Sequence, residues 1–139
     1  MELRAAVAED IPAVLAFWKV AAEDTNRVGD DAGAVAALIA RDPDALQLAL
    51  DGDAIVGCLI AGFDGWRCHL YRFAVHPGRR RQGIGRLLLD AAEERFRALG
   101  ARRADAMVLE DNTVAHRTWA AAGYEQQPEW RRWIKRLGG

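Results

Sequence analysis

Cysteine is scarce in this chain: Cys58 and Cys68 are the two among 139 residues. Two thiols cannot staple a scaffold. A hairpin about Asp64-Gly65 would set Cys58 opposite Tyr71 or Arg72, and at about 3.3 Å per residue the remaining offset from Cys68 exceeds disulfide reach. Both read as reduced thiols. Histidine is almost as rare, and His69, His76 and His116 lack metal-ligand spacing, so no metal is expected. No apolar run is long enough to span a membrane, and the amino end lacks the charged-then-apolar pattern of a signal peptide. An excess charge of one sign is missing too: 19 basic residues face 20 acidic ones, a net charge of −1. That balance argues against a dedicated nucleic-acid binder, whose affinity rests on many phosphate contacts. Linkers, repeats and low-complexity segments are absent as well. The expectation is one cytoplasmic domain over residues 1–139, with no membrane partner; monomer and homodimer both stay open.

What is present is core material, 51% apolar residues, in readable periods. Leu3, Ala5 and Val7 alternate with Glu2, Arg4 and Ala6 and predict a first strand. Asp10 caps a helix with Pro12 in its first turn and Ile11, Val14, Leu15, Trp18 and Ala22 on one face. Residues 23–31 read as a loop, and a second helix covers Ala32 to Ala40, before Asp42-Pro43. Leu46, Leu48 and Leu50 alternate, Asp51-Gly52 turns, and Ala54 to Ala61 returns as a hairpin partner. Cys68 to Val75 is a further strand, ended by Pro77-Gly78. A long helix follows from Ile84 with Ile84, Leu87, Leu88, Ala91, Arg95 and Leu99 on one face, a Glu93–Arg97 pair, and Gly100 as its stop. Ala104 to Leu109 forms the next strand, and Asn112 opens a helix through Trp119 to Ala122, with Gly123 as its stop. Tyr124 to Leu137 is expected to form the last strands or a strand with an irregular return. The sum is a mixed α+β sheet with helices on both faces.

The most informative stretch is Arg80-Arg81-Gln82-Gly83-Ile84-Gly85, lying between a strand and an amphipathic helix. A helix amino terminus carries unpaired N–H groups and partial positive charge, and glycines let an anion approach them. Arg79, Arg80 and Arg81 add full charges. The pattern predicts a phosphate or pyrophosphate cradle; a plain tight turn is the alternative. There is no Gly-Lys-Ser/Thr of a P-loop and no third glycine at dinucleotide-fold spacing.

Phe73-Ala74-Val75-His76-Pro77 followed by Arg80-x-x-Gly83-x-Gly85 resembles the acyl-CoA signature of the GCN5-related N-acetyltransferase (GNAT) family. Asn112-x-x-Ala115-x-x-x-Trp119-x-x-x-Gly123-Tyr124 is similar to that family's later segment. The resemblance implies a mostly antiparallel, twisted sheet of six to seven strands, splayed at the cofactor site, with about four helices. It also implies acetyl-CoA as co-substrate. Arg80, Arg81, Gln82, Gly83, Ile84, Gly85 and Arg86 would hold the pyrophosphate. Phe73, Ala74 and Val75 would pair with the pantetheine arm through their backbone, a backbone N–H near Phe73 or Ala74 would polarise the thioester carbonyl, and Asn112 would help fix the cofactor or simply cap its helix.

Position 119 departs from the family pattern, because many relatives carry a tyrosine there that protonates the leaving thiolate. Indole is no usable acid at neutral pH. Tyr71 or water would replace it, or the thiolate would leave unassisted, which a thiol pKa of about 8.5 tolerates. For removing the amine proton the candidates are Glu110, His69 and Tyr71, each of which could equally be solvated or packed. Trp18, Glu23, Asp24, Asp30 and Asp31 fall where similar proteins wall the acceptor site, and Asp64, Trp66 and Arg67 sit at a hairpin tip that could border it. An acidic rim with an aromatic suits a cationic amine; a solvated helix end would look the same.

The expected activity is direct acetyl transfer from acetyl-CoA to a primary amine, on a protein N-terminus, a lysine or a small molecule. An acyl-enzyme on Cys58 or Cys68 is the other route. A non-catalytic acyl-CoA-binding module and, least favoured by charge, a nucleic-acid binder using Arg79 to Arg81 with Arg131 and Arg132 are the competing classes.

Overall fold

Alternating apolar residues at the amino end, and two Asp-Gly turns further on, lay down a sheet by local pairing. The computed structural model describes residues 1–21 and 31–138. Two compact units, Met1–Leu109 and Glu110–Gly139, divide the chain and are taken separately.

In the first unit, β1 (Glu2–Ala5), β2 (Leu46–Asp51), β3 (Ala54–Phe63), β4 (Cys68–Val75) and β5 (Ala104–Ala106) lie in sequence order in one sheet. The first four pair antiparallel, and β5 joins β4 in parallel. Helices α1 (Ile11–Ala21) and α2 (Ala32–Arg41) cover one face and α3 (Ile84–Ala98) the other. Leu46, Leu48, Leu50 and Cys58 meet Val14, Phe17, Trp18 and Val35 on the α1/α2 face. On the opposite face Gly57 makes room for α3: a Cβ there would lie 2.9 Å from both Ile84 Cγ2 and Leu88 Cδ1.

The mixed α+β class and the helices on both faces agree with expectation; several details differ. Five strands form among the described residues, not six to seven, because residues 124–138 contain no strand. That segment carries Pro128, and its apolar residues Trp130, Trp133 and Ile134 recur at three and one rather than at two, so they share no strand face. The strand expected over Ala104 to Leu109 stops at Ala106. The buried face of α3 is Ile84, Leu88, Leu89, Ala92 and Phe96, while Leu87 and Leu99 are exposed. The alternative stripe contained Arg95, and seating the aromatic Phe96 rotates the helix away from it; Arg95 instead pairs with Asp42 at 2.5 Å. On α1, Phe17 and Ala21 complete the face with Trp18, and the expected member Ala22 lies outside the described residues. Asp10 turns backward, accepting from the Val7 N–H at 2.8 Å and from Arg4 at 2.7 and 2.9 Å. Cys58 pairs with Ala74, not with Tyr71 or Arg72, because β4 carries an extra residue. Neither cysteine is in a disulfide, and both are buried.

The second unit contains α4 (Thr113–Ala121), whose cap Asn112 accepts the Ala115 N–H at 2.9 Å. Gly123, at φ +94°, ends it, and Trp119 meets Tyr124 edge-on with ring centroids 4.9 Å apart.

Candidate functional site

The site is organised by a bulge in β4. Tyr71 pairs with Ile60, but Ala74 pairs with Cys58, so Arg72 and Phe73 together oppose the single residue Leu59. Arg72 takes the extra step at φ +50°, a left-handed conformation that costs a side-chain-bearing residue about 1–2 kcal/mol. Buried contacts hold it there. The Cys58 thiol donates to the Arg72 carbonyl at 3.0 Å and accepts from Trp18 Nε1 at 3.2 Å, while the Arg72 guanidinium lies 4.8 Å above the Trp18 ring. Trp18, expected to wall an acceptor site, is 5% exposed and is spent on this support.

The extra residue flips the strand's faces. Before it, His69 and Tyr71 share the α1/α2 face with their partners Gly62 and Ile60. After it, Ala74 occupies that face, and Phe73 and Val75 turn toward α3, where a Cβ on Gly85 would meet Phe73 Cζ at 3.0 Å and Val75 Cγ2 at 3.6 Å. Unbulged alternation would have put Tyr71, Phe73 and Val75 on one side. The registered pairs between β4 and β5 end at Leu70 with Ala106, one residue before Tyr71. Pairing between β4 and β5 therefore stops just before the bulge.

Past β4, a single 3-10 turn over Pro77–Arg79 leads to α3, with His76 Nδ1 accepting the Gly78 N–H at 3.0 Å. Arg81 at φ +64° and Gly83 at φ +82° reverse the chain so that Gly83 becomes the cap of α3. A Cβ on Gly83 would meet nothing within 4 Å, so its outer side is open space. Ile84 is buried in the core and anchors the helix start, leaving its backbone to face the turn. Of the expected cations, Arg79 is committed to Asp51 at 2.8 Å and Gln82 at 3.0 Å, and Arg86 pairs with Asp90 at 3.0 Å. Arg80 and Arg81 are exposed and form no ion pair among the described residues. An open left-handed cap on a 15-residue helix, flanked by two uncommitted arginines, is chemically an anion site.

On the other face, Asp64 organises the hairpin turn. Its Oδ1 accepts the Trp66 and Arg67 N–H groups at 2.8 and 2.7 Å, and these bonds hold its carboxyl below the usual range. Its Oδ2 lies 3.8 Å from His69 Nε2, and the His69 ring sits 5.9 Å from that of Tyr71. Trp66 is 85% exposed at the tip. Asp30 lies outside the described residues, as do Glu23 and Asp24, whereas Asp31 caps α2 by accepting the Ala34 N–H at 2.7 Å. Glu110 and Asn112 belong to the second unit, Glu110 exposed and Asn112 in its capping role.

These features can be set beside known proteins. The family model described as "Acetyltransferase (GNAT) family" matches residues 13–124. The chain belongs to the GNAT acetyltransferase family. An acetyltransferase of Pectobacterium atrosepticum is 31% identical over 126 residues, 90% of this chain and 88% of the relative. The ribosomal-protein-alanine N-acetyltransferase of Brucella melitensis superposes with a TM-score of 0.74 at 25% identity, covering 90% of this chain and 85% of that one. A Salmonella typhimurium protein solved with acetyl-CoA as its cofactor superposes with a TM-score of 0.74 at 21% identity, covering 88% and 78%. In this GNAT chain the stretch that resembles the family's acyl-CoA signature falls on the cap of α3 and the flipped end of β4. The glycines and the signature were visible in the sequence. The bulge was not, since Arg72 and Arg81 are ordinary residues in conformations that no local pattern announces.

Proposed function

We propose that the protein is an acetyl-CoA-dependent N-acetyltransferase acting on a primary amine by direct transfer, its two units forming one catalytic domain over residues 1–139. The open Gly83 cap of α3 is the observation that carries this reading. Its backbone amides, with Arg80 and Arg81, would hold the pyrophosphate, and Phe73 to Val75 would lie along the pantetheine arm. Acetyl-CoA supplies a thioester carbonyl whose acetyl group passes to the amine as the C–N bond forms and the C–S bond breaks. In this reading a backbone N–H near Phe73 or Ala74, beside the bulge, would polarise that carbonyl. The amine proton is assigned to water held by Tyr71, His69 or Glu110. Trp119, 8% exposed against Tyr124, offers no acidic proton, and the thiolate leaves unassisted or takes one from Tyr71 or water.

Calorimetric titration with acetyl-CoA and with CoA tests the cofactor, and amine-dependent thiol release tests the transfer. One-site binding with thiol release is expected. Binding without transfer to any amine would leave a non-catalytic acyl-CoA module, and no binding by folded protein would remove the reading.

A further inference from the structure

The face of β4 opposite the cofactor signature holds a cavity of about 180 Å³, open to solvent and lined by Leu38 and Arg41 of α2 with Asp42 beyond it, Gly62 and Phe63 of β3, Asp64 of the turn, and His69 and Tyr71 of β4. Of its charged neighbours the two carboxylates are already engaged, while Arg41 is exposed at the rim. Asp42 at its rim is paired with Arg95, and Asp64 is bound to turn amides and faces His69. What remains as lining is the isobutyl group of Leu38, Gly62, backbone of Phe63 and the side chains of His69 and Tyr71, with Arg41 at the rim. A cavity of about 150 Å³ with apolar walls takes a benzene ring, so this volume fits one compact apolar group. Tyr71 also lies one residue beyond the last β4–β5 pair. A group seated in the cavity therefore has its attachment point beside the end of that pairing.

We infer that this cavity is a side-chain subsite for the acceptor, selecting primary amines that carry one compact apolar group, of isobutyl or phenyl size, next to the nitrogen. The inference rests on the acetyl-transfer reading and adds the acceptor's class to it. The bulge gives it a geometric basis: Phe73 and Val75 serve the α3 side, and His69 and Tyr71 serve the α2 side, so acceptor and cofactor approach from opposite faces of one strand.

The test compares leucinamide and phenylalaninamide with glycinamide, which share the same nucleophile and differ in side chain. Binding to the CoA-loaded full-length protein is read by ligand-observed NMR, and kcat/KM by thiol release. The wild type should prefer the two larger amides by about tenfold or more in both readouts. Gly62→Val should bring that ratio close to one, because its side chain would grow from a Cβ 3.4 Å from Tyr71 Cε2 into the cavity. Should the valine variant not fold, Gly62→Ala, which makes only ordinary contact there, should lower the ratio. A wild-type ratio of one, no detectable binding of leucinamide, or a ratio that Gly62 substitutions leave unchanged would overturn the subsite. Selective binding without thiol release would sink the catalytic reading alone, and equal transfer to all three amides would sink the subsite alone.

Discussion

Gly83→Ala separates the anion cradle from the backbone that forms it, because the molecule carries its own control. Gly83 and Gly100 sit at opposite ends of α3 with φ of +82° and +83°, and a Cβ on either meets nothing within 4 Å. Placing alanine in that left-handed conformation costs about 1 kcal/mol at each. Both variants should lose about 3–5 °C in Tm for a chain of this size. With a typical stability of about 5–15 kcal/mol, a loss that small leaves either variant almost wholly folded at room temperature, so stability alone cannot shift Kd. Only at Gly83 does the added methyl stand where a phosphate would meet the helix amides. Losing one charge-assisted amide bond, worth about 1.5–3 kcal/mol, corresponds to about 10- to 150-fold weaker binding. Circular-dichroism melts and calorimetry with acetyl-CoA read the two effects separately. Gly83→Ala should melt like Gly100→Ala and bind at least about tenfold more weakly. Equal affinities for the two would refute the cradle.

Three further outcomes follow from the packing. Gly57→Ala forces a methyl to 2.9 Å from Ile84 Cγ2 and Leu88 Cδ1, both fully buried, and should cost about 1–3 kcal/mol in urea unfolding; an unchanged midpoint would show that α3 can yield. Asp10 is held below its ordinary carboxyl value chiefly by the Arg4 hydrogen bond, so its stabilisation is present above the unfolded value of 3.8 and fades as pH falls through the lower folded one. Asp10→Asn should lose about 1 kcal/mol at neutral pH, the pair being partly exposed, and should flatten the acid limb of Tm against pH; an unaltered limb would be contrary. Burial pushes the Cys68 thiol up, so native protein should react slowly with iodoacetamide and unfolded protein quickly. The Cys58→Ser/Cys68→Ser protein should keep its turnover; complete loss in folded protein would indicate an acyl-enzyme.

Much of the architecture was legible because its signals are local. Asp51-Gly52 and Asp64-Gly65 marked hairpins, the β4 bounds followed from Cys68 to Val75, and Asn112 and Gly123 bracketed α4 through cap chemistry alone. The face of α3 was misread because two apolar stripes overlap on it, and only the fit of Phe96 against the sheet distinguishes them. The C-terminal strands were misread because apolar content was taken for strand content without the period of two.

Residue order by itself determined most element types, the turn positions and the glycine cap of α3, since each depends on neighbours within a few residues. The two faces of β4 were decided only in the folded chain. Cys58 and Trp18, distant in sequence, stabilise Arg72 in a left-handed step, and that step turns Phe73 and Val75 toward the cofactor signature while leaving His69 and Tyr71 on the other side. A conformation that is unfavourable locally persists because long-range packing offsets its cost, and no reading of local sequence can see that balance.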